Sequence, residues 1–215
     1  MNSYMIKGIL FDKDGTLIDF QSLWLRAAEE VVPLLLRVNA WDTSPGMCDI
    51  ILHAMGIQGK EVLPGGPLAW MTYPEIGREI CIAVRKMGHR AEEELVGRQL
   101  SVLFESVMTW ESFTYQQIVP LKPLFGRLHA QGFKIGLATA DTDTAVKRCF
   151  RKLDLLDAFD FLGWDDGVMK PKPSGDLLER FCAKFHFAPE EVAVVGDTWN
   201  DMLFAKRYGA KSIGV

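Results

Sequence analysis

The feature that most constrains this chain is a set of short apolar runs, each stopped by a polar residue. Ile6 to Phe11 stops at Asp12, Phe133 to Ala138 (FKIGLA) at Thr139, and Val192 to Val195 (VAVV) at Gly196-Asp197. Runs of this length with such boundaries predict buried strands. Lys211 to Val215 is a fourth run and Phe159 to Leu162 a weaker fifth. Helical spacings lie between them: Pro123 to Ala130, ending at Gly132, then Thr142 to Leu153, Ser174 to Phe185 and Asn200 to Tyr208. Strands alternating with helices predict βα units on a parallel sheet.

The stretch from about Phe20 to Phe113 departs from that rhythm. It reads as helices over Ser22 to Val38, Met47 to Met55, Pro74 to Met87 and Ala91 to Phe113. A Gly/Pro-rich loop, Gly56 to Pro67, lies among them, with no convincing strand. An all-helical block placed between the first two strands is expected to form a separate lobe. The expected division is residues 1–19 and 114–215 for the α/β core and 20–113 for the helical insert.

Composition narrows the function. The net charge of -4 leaves no basic surface for nucleic acid, so an anionic substrate needs positive charge gathered locally. The four cysteines, Cys48, Cys81, Cys149 and Cys182, form no CxxC pair and read as thiols in a reducing compartment. The start of the chain lacks the pattern of a secretory leader, and no stretch is apolar enough to span a bilayer. A cytosolic protein without a membrane partner is expected. The four histidines are isolated, HExxH is missing, and Gly56 to Glu61 lacks the spacing of a phosphate-binding P-loop.

Four motifs carry chemistry. In Phe11-Asp12-Lys13-Asp14-Gly15-Thr16, a strand ends in two carboxylates one residue apart. Positions two apart in extended chain point the same way, so both are expected to face one pocket, with Lys13 turned away. Two such charges need a cation or a shared proton. One carboxylate can attack phosphorus and the other can move the leaving group's proton. Thr139, at a strand tip before a helix, can donate to a phosphate oxygen, aided by backbone N–H groups at the helix start. In Lys170-Pro171-Lys172-Pro173, prolines stiffen a loop that presents a lysine to phosphate. Lys170 and Lys172 compete for that role. In Gly196-Asp197-Thr198-Trp199-Asn200-Asp201, a second aspartate follows one helical turn after the first. Hard cations take oxygen ligands, and Asp12 with Asp197 offers them to Mg2+. In an open parallel sheet, ligands bind beyond the carboxyl ends of the strands, where these motifs fall.

Asp12-x-Asp14-Gly15-Thr16, Thr139, Lys170-Pro171 and Gly196-Asp197-x-x-x-Asp201 together resemble the haloacid dehalogenase superfamily, most of all its phosphoglycolate phosphatase-like members. The resemblance implies an α/β fold, a Rossmann-like parallel sheet core with an inserted all-helical cap domain. It implies that Asp12 is the nucleophile and Asp14 the general acid/base. Thr139 and the backbone N–H of Ala140 would hold phosphate, and Lys170 would bridge Asp12 and the phosphate. Mg2+ would be held by Asp12, the backbone carbonyl of Asp14, and Asp197, with Asp201 reached through water. The implied activity is phosphate-monoester hydrolysis of a small phosphorylated metabolite through an aspartyl-phosphate, by a monomer or homodimer. The alternatives are a phosphomutase of the beta-phosphoglucomutase type and, more remotely, a non-catalytic binding protein.

The resemblance places substrate choice in the cap. The Gly56 to Pro67 loop with Trp70 and Tyr73 is the candidate lid surface, and Arg78, Arg85 and Lys86 are candidates for a substrate carboxylate. Hinges are expected near Ile18 to Phe20 and Thr114 to Pro120. Three departures from the family pattern stand out. Lys13 replaces an apolar residue. Asp141 stands where an uncharged polar residue is usual, and is expected to cap the next helix. The chain stops at Val215, before the usual final strand and helix, which puts the stability of that sheet edge in question.

Overall fold

A computed structural model describes residues 5–168, 170 and 172–215, except for the side chain of Trp70. Pro171 of the lysine-proline motif and the Trp70 ring therefore lie outside the described residues. In chain order the regular elements are β1 (Gly8–Phe11), α1 (Phe20–Val38), α2 (Pro45–Ala54), β2 (Ile57–Gln58), β3 (Glu61–Val62), α3 (Pro67–Trp70), α4 (Tyr73–Lys86), α5 (Glu93–Thr109), α6 (Leu121–Ala130), β4 (Lys134–Thr142), α7 (Asp143–Lys152), β5 (Phe161–Asp165), α8 (Asp176–Phe185), β6 (Val192–Gly196), α9 (Trp199–Arg207) and β7 (Lys211–Gly214). They fall into two compact units. One joins the N-terminal stretch through Phe20 to Tyr115–Val215, and the other is Gln21–Thr114.

The first unit is built on a five-stranded parallel sheet ordered β5-β4-β1-β6-β7. Phe11 is level with Leu137 on β4 and with Val195 on β6. Asp12, Thr139 and Asp197 therefore follow the same level of the sheet. The chain builds outward from β1 through β4 and β5, then returns to the other side for β6 and β7, which makes the end of β1 a topological switch point.

Alternation along β1 sorts its side chains to two faces. On one face Leu10 joins Leu177, Leu178 and Phe181 of α8, Val192 and Val194 of β6, and Phe204 of α9. Gly136 is needed there, since a Cβ would meet the Phe181 ring at 2.7 Å. On the other face Phe11 meets Phe125 of α6, Phe125 meets Phe159, and Phe159 meets Phe150 of α7, with centroids 5.7, 5.0 and 4.7 Å apart. Each such fully buried ring or leucine contributes about 1.5–3 kcal/mol.

The second unit is mainly helical. Buried Ile76, Ile80 and Val84 recur every four residues on α4, as do Val96, Leu100 and Phe104 on α5, and the two helices pack together. A capping box starts α4, with Glu75 accepting from the Thr72 N–H at 2.8 Å. The segment expected to be a loop, Gly56 to Pro67, holds a two-residue antiparallel ladder, β2 on β3. The Gln21 side chain accepts from the Val62 N–H at 2.7 Å and donates to the Val62 carbonyl at 2.8 Å, a pairing that spacing in sequence does not reveal. Among the described residues, no helix is long and apolar enough to cross a membrane.

Candidate active site

Asp12 and Asp197 directly follow the ends of β1 and β6. The Asp12 N–H donates to the Val195 carbonyl at 2.8 Å, fixing the start of the loop against β6. The N–H groups of Leu17 and Ile18 both return to the Lys13 carbonyl at 2.9 Å, which curls Lys13 to Ile18 into a tight turn. Gly15 sits at φ +84°, and a Cβ there would lie 2.1 Å from Asp197 Oδ2. The turn thus needs glycine for its backbone and for the approach of Asp197. Thr16 Oγ1 donates to Asp197 Oδ1 at 3.2 Å. The linking strands are also tied: Ile18 bridges Gln117, and the Asp19 N–H donates to the Gln116 carbonyl at 2.8 Å.

Asp12, Asp197 and Asp201 converge, each with an oxygen within 4.8 Å of the others. Asp12 and Asp201 are buried, while Asp197 is exposed. The lysine among them is Lys172. Its Nζ donates to Asp12 Oδ1 and, at 2.6 Å, to Asp201 Oδ1. The expectation for Lys170 is corrected accordingly. Lys170 is exposed, and its backbone N–H donates to Asp176 Oδ2 at 3.1 Å. Asp176 also accepts from Ser174 Oγ at 2.5 Å, so it anchors the loop while the chain carries Lys172 inward. Asp201 accepts from the Thr198 N–H at 3.1 Å and from the Thr198 hydroxyl, in the capping box that starts α9. Both its oxygens are thus engaged, one by the lysine and one by the helix cap.

Burial pushes the Asp12 carboxyl up to about 7, with Lys172 pulling it down and Asp201 pushing it up. Burial opposes the charge on Lys172, yet Asp12 and Asp201 outweigh it and hold the ammonium above its ordinary value. Burial also raises Asp197. Carboxylates this crowded are matched by a hard cation, and the donor set is all oxygen. The residues therefore fit a divalent ion such as Mg2+.

Asp14 stands apart from the three-carboxylate cluster. Its Oδ1 is buried and lies 2.9 Å from Lys13 Nζ. Burial raises this carboxyl to about 6, with Lys13 lowering it and Asp141 raising it. Lys13 does not turn away. It is 3% exposed, and its Nζ also lies 2.5 Å from Asp141 Oδ2. Strand alternation fails there because the chain leaves extended geometry at Asp12, and the long side chain folds between the two carboxylates. Asp141 does not cap the following helix either. Thr142 does, accepting from the Ala145 N–H at 3.3 Å, because β4 continues past a bulge to pair Thr142 with Asp165. The signal for this pair was present in the sequence as two departures of opposite charge.

Thr139 is buried, and its hydroxyl oxygen accepts from the Asp141 N–H at 3.2 Å, leaving its proton for an anion. Ala140 follows it on β4, in the bulged stretch. In the helical unit, Arg85 pairs with Glu93 at 2.9 Å and Arg78 with the same residue at 3.5 Å, on an exposed surface. The Tyr73 ring stacks on Phe104, with centroids 5.4 Å apart.

The profile of the haloacid dehalogenase-like hydrolases matches residues 6–209. A phosphoglycolate phosphatase of Shigella dysenteriae is 28% identical over 222 residues, covering 98% of this chain and 81% of that protein. One from Vibrio vulnificus is 28% identical over 218 residues, covering 100% and 86%. Among solved structures, a HAD-superfamily hydrolase of Geobacter sulfurreducens superimposes with a TM-score of 0.67 at 16% identity, covering 97% of this chain and 86% of that one.

Proposed function

Since the chain belongs to the haloacid dehalogenase-like hydrolases and is a phosphatase among them, we propose that it passes the phosphoryl group of a small phosphate monoester to Asp12 and then to water. The observation that carries this reading is the buried Asp12 carboxylate joined by Lys172 to Asp201, beside Asp197. Asp12 Oδ attacks phosphorus as the ester P–O bond breaks, and Asp14 gives its proton to the departing alkoxide. Asp14 then takes a proton from water as the water oxygen attacks phosphorus. The bond to Asp12 breaks, and inorganic phosphate leaves. Thr139 and the Ala140 N–H hold the phosphate oxygens, and Lys172 keeps Asp12 ionised and aimed. Mg2+ would be held by Asp12, Asp197 and the backbone carbonyl of Asp14, with Asp201 beside them, and when bound it offsets the phosphate charge.

The helical unit, residues 20–113, is the cap in this reading and selects the substrate. We place the protein in the cytosol, as a monomer or homodimer; its four cysteines are free thiols. The test is a phosphate-release screen over small phosphorylated metabolites, beginning with phosphoglycolate, with and without magnesium. Turnover that needs the ion and vanishes in Asp12→Asn is expected. Asp12→Asn with near wild-type activity would overturn the reading. Activity that needs a bisphosphate and releases no phosphate would turn it to a mutase.

A further inference from the structure

We propose that Lys13 and Asp141 act as a positioning pair that holds the carboxyl of Asp14 for proton transfer. The inference rests on the phosphatase reading and deepens it. Both residues belong to the same unit, one on the loop after β1 and one near the end of β4. Lys13 Nζ is gripped from two sides, by Asp14 Oδ1 at 2.9 Å and by Asp141 Oδ2 at 2.5 Å, and is 3% exposed. Asp14 Oδ1 is buried, and the ammonium of Lys13 is the charge set against it.

The pair has no obvious value as glue. An apolar side chain of similar volume usually serves a buried structural position as well or better than an ion pair. A fixed ammonium does something an apolar residue cannot: it sets the rotamer of the neighbouring carboxyl. Proton transfer requires that carboxyl within hydrogen-bond reach of the leaving oxygen. Asp141 completes the device from β4. It anchors the ammonium from the far side, so Lys13 cannot swing with Asp14. Neither Lys13 nor Asp141 is among the residues proposed to hold the phosphate or the ion. They act only through Asp14.

The experiment compares two esters with the same phosphoryl group: 4-nitrophenyl phosphate, whose leaving group needs little protonation, and an alkyl phosphate, whose alkoxide needs it. The quantity read is kcat/KM, which reports the steps up to departure of the alcohol. Proton transfer by a positioned side chain contributes about 10²–10⁴-fold, so Lys13→Met should lower kcat/KM by about 30-fold or more on the alkyl ester and by less than about threefold on the nitrophenyl ester. Asp141→Asn should show the same selectivity with a smaller loss. In an Asp14→Asn background, Lys13→Met should have no further effect on the alkyl ester.

Equal losses on both esters, or no loss on the alkyl ester, would overturn the proposal. Circular dichroism and thermal unfolding check that each variant folds. Should Lys13→Met not fold, the double variant Lys13→Met/Asp141→Asn removes the stranded carboxylate and must show the same selective loss. Failure of the underlying reading has a different signature: the wild-type protein would turn over neither ester, or Asp12→Asn would stay active, and the pair's role would fall with it.

Discussion

Replacing Lys172 by methionine tests the site where sequence alone could not choose. The side chain is 10% exposed, and its partners Asp12 and Asp201 are 11% and 1% exposed. At 2.6 Å and an effective dielectric of about 20, one such contact attracts by about 6 kcal/mol before the desolvation of the ammonium is subtracted. Breaking a buried pair by removing one partner typically costs about 3–5 kcal/mol, because the carboxylates left behind are stranded. Lys172→Met should therefore lower the stability of the metal-free protein by that order. Without the cation that keeps Asp12 ionised and aimed, kcat/KM should fall by about 10²–10³, the order lost when one preorganised electrostatic partner is removed. Lys170→Met, at an exposed position, should stay within about twofold of wild type, since surface changes of this kind are usually within about 0.5 kcal/mol. The assay is phosphate release at saturating magnesium, with thermal unfolding of both variants in a chelator. If Lys170→Met loses as much activity as Lys172→Met, the loop has been read wrongly.

The same crowding predicts an inverted pH response in the metal-free protein. Burial raises Asp12 from 3.8 to about 7, so between those values the folded state binds more protons than the unfolded one, and stability falls as pH rises through that window. In chelator at neutral pH, Asp12→Asn should melt above wild type and lose part of this slope; a lower melting point would contradict the burial argument. Gly15→Ala would put a Cβ 2.1 Å from Asp197 Oδ2 at a φ of +84°. It should cost about 1–2 kcal/mol of backbone strain. By displacing a ligand it should also raise the magnesium needed for half-maximal activity about tenfold. An unchanged magnesium titration would show that Asp197 does not depend on this turn.

Much of the molecule is legible in local pattern. Strand ends at Asp12 and Gly196 follow from where apolar runs stop, and those two ends were placed to within a residue. The helical insert follows from periodicity on α4 and α5, where apolar residues recur every four positions. Local pattern fails where long side chains cross between elements. Lys170 and Lys172 have the same charge and each precedes a proline, and only the folded chain shows that Lys172 is the one that reaches Asp12 and Asp201. Lys13 and Asp141 are far apart in sequence, and each looks like an isolated irregularity; the parallel register of β1 on β4 puts them in contact. Sequence fixes what is periodic, because burial repeats with the geometry of the strand or helix. Tertiary structure decides which charges meet, because an ion pair a few ångströms long depends on the folded path of two distant segments.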